Sequence, residues 1–108
     1  MLENLTSFLE YYIHLFWHFL FFQFLLFFVA DRAIQIIENS QQSSSPLFLY
    51  LSFTAPHLPY QAPQDVIDLY NETIVDPWRR VYVAMIHVLD NAIQNITKSL
   101  EKNNMLND

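Results

Sequence analysis

Glycine is missing from this chain of 108 residues, and so is cysteine. At an average usage of about 7%, a chain of this length holds roughly seven or eight glycines. Their absence removes every glycine-dependent device at once: the P-loop, the dinucleotide-binding turn, the nucleophile elbow and the EF-hand loop. Without cysteine there is no disulfide, no thiolate metal site and no thiol nucleophile. Positive charge is also scarce, with five Lys and Arg against eleven Asp and Glu for a formal net charge of −6. Arg79 and Arg80 are the only adjacent bases. That balance argues against nucleic acid as a partner.

What is present is unevenly spread. Tyr11 to Ala30 carries no charged residue, and ten of these twenty residues are aromatic. A helix of that length spans about 30 Å, the thickness of a bilayer's hydrocarbon core. Tyr11, Tyr12 and Trp17 lie toward one end, where amphipathic rings favour a membrane interface. Residues 1–30 therefore read as a long apolar N-terminal helix, a transmembrane or signal-anchor segment with membrane contact through residues 11–30. A cleaved signal peptide fits less well, because the upstream flank holds Glu3 and Glu10 and no base. His14 and His18 share a helix face, which suits either a metal or haem pair or two tolerated polar residues. A further alternative is that residues 1–30 are a mis-joined N-terminus of different origin from the rest.

Residues 31–108 read as ordinary soluble protein. Asp31 to Asn39 places Ala33, Ile36 and Ile37 at helical spacing, with Asp31 as the expected cap. Ser40 to Ser45 follows as a polar loop. Leu47-Phe48-Leu49-Tyr50-Leu51-Ser52-Phe53, bounded by Pro46 and Pro56, has the length and composition of an interior strand covered on both faces. A helix followed by a buried strand predicts an α/β architecture.

Pro56, Pro59 and Pro63 make the next stretch a loop. In open α/β sheets, ligands bind beyond the carboxyl ends of strands, and His57 sits there on a proline-stiffened loop. Spacing alone fits a surface histidine without a role at least as well. Gln64 to Tyr70 reads as a short helical turn. Asp76-Pro77 is a helix start. Tyr82, Met85, Ile86, Leu89, Ile93, Ile96 and Leu100 then form one apolar stripe, which predicts a helix from about Pro77 to Lys102. Lys98 and Lys102 suit its C-terminal dipole, whereas Arg79 and Arg80 oppose it at the other end and read as a solvated face. Asn4, Asn71 and Asn95 each begin an N-x-[ST] sequence. Asn71 and Asn95, in the soluble stretch, are glycosylation candidates and suit a secretory chain.

Several blocks occur in a familiar order. Ile36-Ile37-Glu38-Asn39, Pro46 to Phe53, Ala55-Pro56-His57-Leu58-Pro59 and Gln61-Ala62-Pro63 come first. Arg79 to Met85, Leu89-Asp90 and Asn95-Ile96-Thr97-Lys98-Ser99-Leu100 continue the series. Together, over about residues 31–106, they resemble the arylsulfatase B type of sulfatase. The resemblance implies a fragment of a sulfatase/alkaline-phosphatase-like α/β fold that hydrolyses sulfate esters of glycans, in the lysosome or elsewhere in the secretory pathway. It implies a Ca²⁺ ion and a cysteine-derived formylglycine for the complete enzyme, and it matches His57 to the histidine that contacts the substrate's sulfate. The family's C-x-P-S-R motif and its aspartate metal ligands are absent from this chain. No complete catalytic set and no metal site are therefore expected, and the chain alone is expected to be inactive. The alternative expectation is a non-catalytic, membrane-anchored interaction protein that retains a sulfatase-derived segment.

Overall fold

The computed structural model describes residues 25–106. The Asn4 sequon, His14 and His18 lie outside the described residues, as does most of the apolar run. Within the described residues, no helix is long and apolar enough to cross a membrane.

Helix α1 occupies residues 25–40. Leu26, Ala30, Ala33 and Ile37 recur at steps of four, three and four, which places them on one face, and all four are buried. This seam passes through Asp31 without a break. Asp31 is thus inside the helix rather than its cap. The expected helix from 31 to 39 is the second half of a longer element, because burial of Leu26 and Ala30 extends the helical face upstream.

The long helix α3, Pro77–Lys102, forms as its sequence predicts. The Asp76 side chain accepts hydrogen bonds from Trp78 N–H at 2.8 Å and Arg79 N–H at 3.3 Å, with Pro77 in the first turn. Val88, Ala92 and Ile96 meet the α1 seam in one buried cluster. Ala30 and Ala33 of α1 and Ala92 of α3 contribute small side chains to that cluster. Serine and glutamine at the end of α1 hold the far end of α3: Ser40 Oγ lies 3.8 Å from Met105 Sδ, and Gln41 Nε2 donates to the Asn103 carbonyl at 3.0 Å. The two helices therefore end side by side.

The stop of α3 shows how a chain without glycine closes a helix. Asn104 takes φ 56°, in the left-handed region that glycine usually fills. Its N–H donates to the Glu101 carbonyl at 3.0 Å, and Met105 N–H donates to the Leu100 carbonyl at 2.9 Å. This pair of bonds is a Schellman motif, and Leu100 and Met105 both pack against the main core.

Between these helices lie an extended run and the short helix α2, Gln64–Asp68. Leu47, Leu49, Leu51 and Phe53 pack against the α1–α3 core, while the residues between them face outward. Phe48 is 92% exposed and Tyr50 81%. Period-two burial is the geometry of an extended backbone. Yet no strand forms among the described residues. The expected α/β fold is corrected accordingly: the described chain is helical. A strand is completed by a ladder on its edges, and among the described residues, residues 47–53 are the one extended run of that kind. They also bury one face rather than two.

Candidate functional site

The loop carrying His57 is held at both ends by α3. On the near side Ala55 packs against both core clusters. On the far side Ala62 is buried with Ala84 and Met85, and Gln61 N–H donates to Met85 Sδ at 3.3 Å. Tyr60 adds an edge-on contact with Tyr82 at 5.5 Å between ring centres. Between these anchors His57, Leu58 and Pro59 form an exposed tip. The Ala55–Pro56 and Leu58–Pro59 peptide bonds are both cis.

His57 closes a turn through its N–H, which donates to the Thr54 carbonyl at 3.0 Å. Its Nδ1 lies 2.7 Å from the Leu58 carbonyl oxygen. A carbonyl only accepts, so Nδ1 carries the hydrogen. The opposite nitrogen, Nε2, has no protein partner among the described residues. In the neutral ring Nε2 is a lone-pair acceptor, and in the imidazolium it is a donor. The tip thus presents one imidazole in a fixed tautomer, free to meet an anion when protonated.

Other polar groups gather elsewhere. Arg80, expected on a solvated face, is instead a loop clasp: Nε and Nη2 donate to the Ile74 carbonyl at 3.0 and 2.8 Å, and Nη1 donates to Asn71 Oδ1 at 2.7 Å. Its position at the helix start has a reason, since it satisfies carbonyls of the loop entering α3. The misfit with the helix dipole was the sequence signal for such a role. Arg79 is exposed, as expected. His87 pairs with Tyr70, whose hydroxyl lies 2.8 Å from Nδ1, with the rings edge-on at 6.0 Å. These two residues are 17 apart, and nothing local in the sequence links them. Both are part of a shallow depression with Val83, Ile86, Asp90 and Asn91.

Both glycosylation candidates are exposed, Asn71 in the turn after α2 and Asn95 within α3. Among the described residues no three His, Cys, Asp or Glu side chains converge as a metal requires. Asp68 is occupied by Gln64 and Asn71, and Asp76 caps α3. Ca²⁺ needs about six to eight oxygen ligands. The described residues do not fit it.

Comparison with known proteins agrees on one family. The profile described as Sulfatase matches residues 28–108. Arylsulfatase J of Mus musculus is 37% identical over 77 residues, which cover 71% of this chain and 13% of that protein. The uncharacterized sulfatase YdeN of Escherichia coli K12 is 29% identical over 77 residues, 69% of this chain and 13% of its own length. Iduronate 2-sulfatase of Homo sapiens is 37% identical over 41 residues, covering 38% and 8% of the two chains. The chain thus spans about one eighth of the first two relatives. No solved structure matches.

Proposed function

Because the chain belongs to the sulfatase family, we propose that it is a segment of a sulfate-ester hydrolase domain, and that His57 is the group through which it holds the substrate's sulfate. The observation that carries this reading is the His57 tip: an exposed imidazole on a loop anchored at both ends, with Nδ1 committed to Leu58 and Nε2 left open. In its protonated form Nε2–H donates to a sulfate oxygen, a charge-assisted bond that strengthens as negative charge develops on the departing sulfate. The loop is already ordered, so little entropy is lost when the anion arrives.

The order of the blocks quoted above supports an arylsulfatase B-like type, with sulfated galactosamine residues as the substrate class and the secretory pathway as the compartment. Hydrolysis itself needs a nucleophile and a metal cradle acting with the sulfate clamp. Lacking cysteine, this chain has no precursor for the family's formylglycine. On this reading, these 108 residues by themselves do not turn over sulfate esters.

The test follows the His57 ring resonances by NMR, in detergent micelles, during titration with inorganic sulfate and with an N-acetylgalactosamine sulfate. One charge-assisted contact contributes about 1.5–3 kcal/mol, so the affinity expected is about 10 mM or weaker. The ring resonances shift on titration, and the accompanying shifts of neighbouring backbone amides are lost in His57→Ala. A ring that stays unmoved at saturating sulfate would refute the assignment. Turnover of an arylsulfate with Ca²⁺ by the chain alone, lost in His57→Ala, would refute the statement about catalysis.

A further inference from the structure

Asn71, Glu72 and Thr73 form an N-x-[ST] sequence in the turn that joins α2 to α3. A glycan at such a sequence occupies one of the two hydrogen positions on Nδ2 and leaves the amide oxygen and the other hydrogen in place. A folded chain accommodates it only if those remaining groups are the ones the fold uses.

At Asn71 they are. Its Oδ1 accepts from Arg80 Nη1 at 2.7 Å. One Nδ2 hydrogen goes to Asp68 Oδ1 at 3.1 Å. The second Nδ2 hydrogen has no partner among the described residues, and the residue is exposed. Arg80 is itself fixed on the Ile74 carbonyl, so the amide plane is oriented by a group that does not depend on that hydrogen. From this geometry we propose that Asn71 is an N-glycan attachment site. The glycan leaves from the open side of the amide, and Arg80 and Asp68 keep their bonds beneath it.

The attachment is a glycosyl transfer. The Nδ2–C1 bond forms as the C1–O bond of a polyprenyl-diphosphate-linked oligosaccharide breaks. Nδ2 loses one proton, the polyprenyl diphosphate leaves with the bonding pair, and nothing is oxidised or reduced. The proposal rests on the reading that the chain enters the secretory pathway, and the experiment separates the two.

The full chain is translated with endoplasmic-reticulum microsomes and probed by protease protection. Glycosylation is read site by site as conversion of Asn to Asp by peptide N-glycosidase. A protected chain with Asp at position 71 after release is the expected result. Thr73→Val, which destroys the sequon but leaves the Asn71 amide untouched, loses that conversion and one glycan's mass, as does Asn71→Gln. A protected chain with Asn71 unmodified overturns the proposal and leaves the secretory reading standing, whatever happens at Asn95. A chain digested by protease overturns both.

Discussion

Helix α3 and the run from Pro46 to Pro63 lie against each other, yet they differ in where their stability comes from. Helix α3 carries its own start and stop: Asp76 satisfies two N-terminal donors, Asn104 and Met105 satisfy two C-terminal acceptors, and one apolar face is buried. The extended run carries neither ladder nor cap among the described residues, and it is held by the side chains it sets into the two core clusters, by the Gln61 N–H bond to Met85 Sδ and by the Tyr60–Tyr82 contact. An element whose hydrogen bonds close within itself is complete in a short chain. One whose hydrogen bonds must close on a neighbour is not.

This contrast is easiest to break at the seam that supports both regions. Ile37 is 1% exposed at the junction of α1 and α3. Ile37→Ala should cost about 2–5 kcal/mol by urea denaturation followed by circular dichroism, whereas Phe48→Ala, on the outward side of the extended run, should stay within about 0.5 kcal/mol. Equal losses would mean that the outward face is packed in solution.

The self-sufficiency of α3 rests on its two ends. Asp76→Ala removes the acceptor for two backbone donors and should lower stability by about 1 kcal/mol, with a range of roughly 0.5–2. Asn104→Ala should cost about 1 kcal/mol, because alanine resists the left-handed region, while Asn104→Gly should be neutral or slightly stabilising. An Asn104→Gly variant less stable than wild type would sink this account of the helix stop.

The part of this contrast that was legible in the sequence is the part that is local. Asp76-Pro77 and the stripe from Tyr82 to Leu100 lie within the helix they specify, so α3 could be read to its ends. Asp31 misled because a good capping residue also tolerates a place inside a helix when Leu26 and Ala30 continue the buried face. The run from Leu47 to Phe53 is apolar at nearly every position, so its composition does not say which face is covered. That depends on partners outside the run.

The same distinction applies to the candidate site. The prolines around His57 announce an ordered loop, and the role proposed for the histidine comes from the resemblance. The Leu58 carbonyl that fixes its tautomer was not legible, since backbone direction in such a loop follows from its anchors on Tyr82 and Met85. The Arg80 clasp and the Tyr70–His87 pair are tertiary contacts, and only the first left a trace in the sequence.

The side-by-side ending of α1 and α3 also has a kinetic side. Ser40 and Met105 meet across 65 residues, and Gln41 and Asn103 across 62. Closing a loop of that length costs about 4 kcal/mol of chain entropy before any contact across it is gained. Helix α3 carries its own start and stop, but its seam with α1 forms only after nearly the whole intervening chain has been gathered in. Docking of the helices therefore waits on closure of that long loop, whereas turns within each helix do not. Until it happens, the underside of the extended run, the alanine seam and the base of the His57 loop remain exposed together.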